Sequence, residues 1–197
     1  MFVLIFYLYG SIPFPMVATY VVKGAMIQNC RSGNVSVANA FGAGGVLTGL
    51  LAVAGEGSKV LLPLAAAGAR FQGSREAALL FIAAALLGTQ FSLFLRGRGG
   101  MGATVVIWTL ALLAPRSGLI LAGLWVALTL ATEQTRYSTV GSYLAMPPVL
   151  LLVERSPGLV AFGCFAALLC VLRYDRRRDE FAHARIVERL KGLWPGT

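Results

Sequence analysis

The hydropathy pattern divides the chain into long apolar stretches separated by short charged or glycine-rich segments. A helix needs roughly 20 mainly apolar residues to cross the hydrocarbon core of a bilayer. Seven stretches approach that length: residues 2–22, 43–68, 76–95, 101–115, 117–134, 137–153 and 157–174. The pattern predicts an all-α fold, a polytopic integral membrane protein of about seven transmembrane helices that forms a single membrane domain over residues 1–197.

The first apolar stretch is interrupted by the short segment Gly10-Ser11-Ile12-Pro13. Proline and glycine inside a membrane span usually bend the helix. A signal peptide would carry basic residues ahead of its apolar run, and none is present here. We therefore expect a retained membrane helix with a kink at this interruption.

Lysine and arginine lie mainly in alternate connections between the predicted spans. An external N-terminus places twelve of these cations on the inner side, seven of them near the C-terminus, and four on the outer side. The inner cations are Lys23, Arg31, Arg96, Arg98, Arg136, Arg173, Arg176, Arg177, Arg178, Arg185, Arg189 and Lys191, and the outer ones are Arg70, Arg75, Arg116 and Arg155. Because cytoplasmic loops carry the excess positive charge, we predict an external N-terminus and a cytoplasmic C-terminus with a basic tail at about 174–197.

The composition favours a bilayer environment, since 57% of the 197 residues are hydrophobic and the mean hydropathy is +0.76. Topology accounts for much of the formal charge of +9, and the cluster from Arg173 to Arg178 is expected to attract anionic lipid headgroups. We therefore predict membrane lipid, and no nucleic acid, as a partner. Cys30, Cys164 and Cys170 lack the spacing of metal ligands, so no metal site is expected.

Two of the predicted cytoplasmic loops have the residue types of an anion site. The loop after the first span contains Ser32-Gly33-Asn34 and ends in the glycine-rich run 42–45, while the loop after the third span combines Arg96 and Arg98 with four glycines. Arginine forms forked hydrogen bonds with phosphate, and glycine exposes backbone amides to an anion. The alternatives are a turn with close helix packing through Gly45-x-x-x-Gly49 for the first loop, and an ordinary basic loop for the second.

The second span contains two charged residues, Glu56 and Lys59, in an otherwise apolar stretch. Charged groups within a membrane are costly unless they face a cavity or a partner, so this pair is a functional candidate. The alternative is an internal pair that only fixes helix register. Arg136 fits an interfacial anchor, and His183, the single histidine, cannot form a multi-histidine metal site.

In this order and on this topology, the segments resemble the bacterial PlsY-type glycerol-3-phosphate acyltransferases. The family motifs G-S-I-P, S-G-N-x-x-x-x-N and D-x-x-K-G correspond to Gly10–Pro13, Ser32–Asn39 and Glu56–Val60. The family's glycine loop corresponds without a gap to Gly88–Gly102, its T-R-Y-V-S-L-x-S motif to Thr135–Ser142, and its tail motif H-R-x-N-I-x-R-L to His183–Leu190. The resemblance covers nearly the whole chain.

The resemblance implies a multi-pass acyltransferase of phospholipid biosynthesis in the bacterial cytoplasmic membrane. Such an enzyme transfers a fatty acyl group from acyl phosphate to the 1-hydroxyl of glycerol 3-phosphate, giving lysophosphatidic acid and phosphate, without a cofactor and with functional coupling to the enzyme that makes acyl phosphate. The implied catalytic residues are Ser32, Lys59, Arg98 and Arg136. The implied substrate-binding or phosphate-binding residues are Ser32, Gly33, Asn34, Asn39, Glu56, Lys59, Arg98, Gly99, Gly100, Arg136, Ser142 and His183. We expect Ser32, Asn34, Lys59, Arg98 and Arg136 to gather in one cleft that faces the cytoplasm.

The chain departs from the family pattern at several motif positions. Thr89 replaces histidine, Met101 replaces lysine, Ile186 replaces asparagine, Glu56 replaces aspartate, and Ser36-Val37-Ala38 replaces G-A-T. The first three are expected to lose charge or hydrogen bonds near the substrates, each worth about 3 kcal/mol of the reaction barrier. The main alternative to an active enzyme is therefore a catalytically impaired relative that binds phosphate-bearing lipid precursors or a partner. A small transporter, favoured by the charged pair in the second span, is the third hypothesis.

Overall fold

A computed structural model describes residues 1–30 and 32–173, and the part of the chain that it describes is helical without strands. The α-helices in chain order are α1 Phe2–Gly10, α2 Phe14–Lys23, α3 Val37–Arg70, α4 Arg75–Gln90, α5 Ala103–Leu113, α6 Pro115–Thr132, α7 Thr135–Val153 and α8 Pro157–Leu172. Two short 3-10 turns, Ile27–Asn29 and Leu93–Leu95, lie in the connections. The all-α prediction is confirmed.

The helices pack mainly with their neighbours in pairs. α1 packs along α4, α2 along α3, and α7 lies between α6 and α8. The largest buried apolar cluster includes Ile82, Val105, Met146, Leu150 and Leu159, which join α4, α5, α7 and α8. Apolar side chains cover the outer surface as well, as expected where lipid replaces water, so hydropathy alone does not separate the interior from the surface.

The first predicted span consists of two helices and not of one kinked helix. α1 and α2 meet at an angle of 41° across the break at residues 11–13. The chain turns because Pro13 cannot donate a backbone hydrogen bond to the preceding turn. At the end of α1 the Ser11 hydroxyl and the Ser11 amide both donate to the carbonyl of Tyr7, each at 2.9 Å. The predicted kink is therefore a complete break.

The second predicted span begins earlier than residue 43. The Ser36 hydroxyl accepts a hydrogen bond from the Asn39 amide at 3.1 Å and caps α3 at its start. Gly45 has φ +78° and bends the helix, a backbone conformation that glycine adopts without strain. Its bend brings the ring of Phe41 against Gly49, where a Cβ atom would collide with the ring. The glycine-rich run is thus a bend inside α3 and not the loop before it.

Three helical segments are long and apolar enough to cross a membrane: α3, α4 together with its following turn to Leu95, and α6. The bent pair α1 and α2 forms a fourth when it is counted as one span. α5, α8 and the apolar part of α7 are shorter. The 11 residues of α5 give a length of only about 16 Å. The count of about seven spans therefore stays a prediction.

Candidate functional site

A cavity of about 450 Å³ lies where the predicted cytoplasmic segments meet. Its wall includes residues 34–38 at the end of the first loop and the start of α3, Glu56 from the interior of α3, residues 100–104, and Thr135 and Thr139 from the start of α7. Segments that are far apart in the sequence therefore contribute to one concave site, as is typical of small-molecule pockets.

Three helices begin at this cavity. The first residues of α3, α5 and α7 are Val37, Ala103 and Thr135, and each of them lines it. The first amides of a helix have no acceptor within the helix, and the aligned peptide dipoles add partial positive charge there. Helix N-termini are for this reason ready-made sites for phosphate and other anions. The helix starts thus contribute partial positive charge to a cavity in whose lining Glu56 is the charged residue.

A buried ion pair lies beside the cavity. Lys59 Nζ is 2.7 Å from Glu56 Oε1, with the two side chains only 1% and 5% exposed. The ammonium also donates to the Thr89 hydroxyl at 3.0 Å and lies 5.4 Å from the centre of the Phe14 ring. A charge pair taken out of water is tolerated when its remaining hydrogen-bonding groups are satisfied. The partners of Lys59 therefore come from both α3 and α4.

The two charged residues face different spaces. Glu56 and Thr89 line the large cavity and also a smaller one of about 10 Å³, whereas Lys59 lines only the smaller one. The smaller space has roughly the volume that holds one water molecule. The hypothesis of an internal ion pair therefore holds, since the two side chains are buried and bonded to each other. The hypothesis that the pair faces a cavity holds as well, because Glu56 lines the large one.

Thr89 retains a polar contact at the position where the related family has histidine. Its hydroxyl oxygen accepts from Lys59 and lies 2.9 Å from the carbonyl of Ala85 and 3.2 Å from that of Gly10. The expectation that this substitution removes hydrogen bonding from the site is wrong, because a hydroxyl both accepts and donates. Met101 does bring an apolar side chain to the cavity wall, as expected.

The glycine loop between α4 and α5 is held by close backbone contacts. Gly99 donates to the carbonyl of Gln90 at 3.1 Å, and a Cβ atom on Gly99 would collide with the carbonyl of Thr89. A Cβ atom on Gly100 would collide in the same way with the carbonyl of Val35 in the first loop. Both glycines are buried. They are needed so that the two loops can meet at the cavity.

Asn39 positions the first loop and does not lie in the cavity wall. Its side-chain amide donates to the carbonyls of Ile27, Cys30 and Asn34 at 3.3, 3.1 and 2.9 Å. One buried side-chain amide thus holds three backbone carbonyls of the loop together. Asn34, one of the three, also lines the cavity. Gly33 has φ +68°, which sets the sharp turn before Asn34.

The structure brings some of the predicted site residues together and leaves others apart. Asn34, Glu56 and Gly100 line the large cavity, and Lys59 and Gly99 line the small one. Ser32, Arg98 and Ser142 are absent from both walls. The Ser32 hydroxyl accepts from the Asn34 amide at 3.3 Å, Arg98 is exposed, and the Ser142 hydroxyl is buried within α7 with no partner among the described residues. The backbone of Arg136 lies in the first turn of α7, while His183, Ile186 and Arg31 lie outside the described residues.

Sequence reasoning missed several residues of the cavity wall. Thr104 lies in the first turn of α5, and Ile107 and Trp125 form an apolar part of the wall. The Trp125 Nε1 donates to the Thr139 hydroxyl at 3.1 Å and so joins α6 to α7. The sequence offered only a weak signal for Thr104, because glycine is only modestly enriched at the N-cap, where Gly102 stands. No sequence signal pointed to Trp125.

The described residues form an all-helical protein with several helices long and apolar enough to cross a membrane and with one concave site where three helices begin. A family model described as Glycerol-3-phosphate acyltransferase matches residues 1–183. The chain belongs to this family, and its predicted resemblance to the PlsY type is confirmed.

Relatives and solved structures agree with this assignment. A glycerol-3-phosphate acyltransferase of Anaeromyxobacter sp. (strain K) is 35% identical over 139 residues, covering 69% of this chain and 68% of the relative. One of Syntrophotalea carbinolica is 29% identical over 174 residues, covering 86% and 87%. The crystal structure of PlsY (YgiH), an integral membrane glycerol 3-phosphate acyltransferase, in its glycerol 3-phosphate form matches with a TM-score of 0.73 at 21% identity, covering 98% of this chain and 91% of that one. Its lysophosphatidic acid form gives a TM-score of 0.70 at 20% identity, covering 97% and 91%.

Replacing Thr89 by valine tests the hydrogen bond to Lys59. Valine keeps the volume but leaves the buried ammonium with one acceptor fewer, so we expect the free energy of unfolding to fall by about 1–3 kcal/mol. Thr109→Val is a matched control, since Thr109 is also buried but its hydroxyl only donates to the carbonyl of Val105 in its own helix, at 2.8 Å. Unfolding by denaturant in detergent measures both variants. Equal losses in the two would show that Lys59 does not depend on Thr89.

Proposed function

We propose that the protein transfers a fatty acyl group from acyl phosphate to the 1-hydroxyl of glycerol 3-phosphate. The products are lysophosphatidic acid and phosphate. In this reaction the bond between the acyl carbon and the phosphate oxygen breaks as the new ester forms, and the released phosphate takes up the hydroxyl proton. The observation that carries the proposal is the single cavity on which three helix N-termini and an apolar wall converge.

The polar end of the cavity suits the phosphate groups of both substrates. The starts of α3, α5 and α7 add partial positive charge at this end, and fixed dipoles of this kind stabilise charge without reorganisation during the reaction. Membership of the family and the glycerol 3-phosphate form of PlsY support the choice of acceptor. The donor, acyl phosphate, is proposed from the family resemblance.

The apolar end of the cavity suits a fatty acyl chain. Phe41, Ile107 and Trp125 line it, and Ile107 is 64% exposed on the surface of the helical bundle. A chain that enters from the lipid would therefore reach the polar end without crossing water. The lysophosphatidic acid form of PlsY is consistent with such a product site.

We assign the catalytic roles from the family resemblance together with this geometry. Lys59, held by Glu56 and Thr89, lines the small cavity and would neutralise the carboxylate that borders the large one. Arg136 is placed by the first turn of α7, which begins at the cavity. Ser32 accepts a hydrogen bond from the amide of the wall residue Asn34, and Arg98 adjoins Gly99, which lines the small cavity. Both side chains are proposed to contact the substrates once these are bound. Most of the rate gain comes from positioning and charge stabilisation.

The proposed setting is the bacterial cytoplasmic membrane. The chain would form a single multi-pass domain of about seven spans with its N-terminus outside. The cavity and its loops would then face the cytoplasm, where an enzyme that makes acyl phosphate can deliver the donor. No cofactor is part of this proposal.

A second candidate function is favoured by one observation. Met101 brings a thioether to the cavity wall where the family has a lysine, so the site has one cation fewer than the family pattern. The loss of this cation is what we would expect of a catalytically impaired relative that binds phosphate-bearing lipid precursors. Binding and turnover must therefore be measured separately.

The direct test uses purified protein in lipid vesicles with palmitoyl phosphate and glycerol 3-phosphate. We expect phosphate and lysophosphatidic acid to form in equal amounts and only when both substrates are present. Binding of glycerol 3-phosphate is measured by calorimetry on the same preparation. Binding without turnover would support the impaired relative, and the absence of both would contradict the proposed function.

Replacing Thr104 by glutamate tests the anion site at the start of α5. A carboxylate there would occupy the position of a bound phosphate and repel it, so we expect the affinity for glycerol 3-phosphate to fall by at least about tenfold. The helix itself should not suffer, because negative charge in the first turn favours it. Thr104→Gln is the control, with the same size and no charge. If both variants bind like the wild type, phosphate does not lie at the start of α5.

A further inference from the structure

Arg173 contacts the glycine loop. It follows the last turn of α8 and belongs to the basic cluster that the sequence assigned to lipid headgroups. In the structure one of its terminal nitrogens donates to the carbonyl of Gly99 at 2.7 Å. Its guanidinium carbon lies 5.6 Å from the centre of the Phe91 ring. The side chain is therefore directed at the connection between α4 and α5.

The contact point is a part of the loop that determines the cavity wall. The Gly99 amide donates to the carbonyl of Gln90, and the Gly99 Cα lies so close to the carbonyl of Thr89 that a Cβ atom would not fit. The next residue, Gly100, lines both cavities and touches Val35 of the first loop. α5 begins three residues after Gly100, and its first turn forms another part of the wall. A shift at Gly99 would therefore move the amides proposed to hold phosphate.

We propose that Arg173 is a positioning residue for the glycine loop: it fixes the backbone of Gly99 from the end of α8 and so holds the start of α5 at the cavity. The role in binding rests on the proposed function, while the contact itself does not. No contact between Arg173 and the substrate is required.

Arginine suits this task better than lysine. Its planar group donates from a fixed fork and stacks on an aromatic face at the same time. A lysine at position 173 could donate to the Gly99 carbonyl but would lose the planar contact with Phe91. Arg173→Lys therefore removes the planar contact with Phe91, and Arg173→Ala removes both that contact and the hydrogen bond to Gly99.

The first measurement is hydrogen–deuterium exchange of the backbone at residues 97–104, in vesicles and without substrate. We expect faster exchange of this segment in Arg173→Ala and an intermediate rate in Arg173→Lys. Lys23→Ala is the control, since Lys23 is an exposed cation on the same predicted side and lies outside the loop and the cavity wall. Unchanged exchange in Arg173→Ala would overturn the proposal, whether or not the protein is an acyltransferase.

The second measurement separates positioning from headgroup attraction. We expect Arg173→Ala to raise KM for glycerol 3-phosphate by about tenfold, the size typical for loss of a charged hydrogen bond, with a smaller rise in Arg173→Lys. The rise should be the same in vesicles of phosphatidylcholine alone and in vesicles that also contain phosphatidylglycerol. A rise that appears only with the anionic lipid, and equally in Lys23→Ala, would assign Arg173 to the membrane surface instead. If the wild type shows no turnover, the proposed function fails, and exchange alone decides the role of Arg173.

Discussion

The ammonium group of Lys59 is the constraint around which the site is organised. A charge in the middle of a membrane helix finds no partner in lipid, so the protein must supply all of its contacts. Glu56 provides them from the same helix, Thr89 from α4, and the Phe14 ring from α2. These contacts require α2 and α4 to lie against one short stretch of α3. The contacts of this one group thus join α2, α3 and α4.

The close approach of α1 and α4 depends on small residues beside the same cluster. A Cβ atom on Gly10 would collide with the backbone of Ala85, and one on Gly88 with the backbone of Tyr7. Without large side chains between them, the two helices meet backbone to backbone, as small residues allow in membranes. This contact brings the Gly10 carbonyl to Thr89. The helix packing and the contact with Lys59 thus both fix Thr89 near the end of α4. The glycine loop follows directly after this fixed end.

The sequence predicted the residues with unusual chemistry better than it predicted their geometry. Glu56 and Lys59 stood out because charge is rare in an apolar stretch, and both border the cavities. Arg98 stood out as an arginine beside glycines in a loop, but it is exposed, because local sequence does not determine where a loop side chain points. Asn39 was predicted to bind substrate, whereas its amide holds three carbonyls of its own loop. Such contacts within a loop depend on the folded backbone and leave no pattern in the sequence.

The boundaries of the elements show the same limit. The glycine-rich run before the second span looked like a loop, but the Ser36 cap starts the helix earlier and Gly45 only bends it. That difference matters for function, because it places a helix start at the cavity. The starts of α5 and α7 reach the same place from other parts of the chain. A hydropathy profile cannot show this convergence, since it contains no information on which helix ends meet.

The most direct test of this account is a structure of the protein with glycerol 3-phosphate bound. We predict phosphate density inside the cavity, with its oxygens within hydrogen-bonding distance of backbone amides in the first turns of α3 and α5. Glu56 and Lys59 should remain paired beside it. Phosphate bound at the exposed Arg98, with no ligand among the helix starts, would contradict the account.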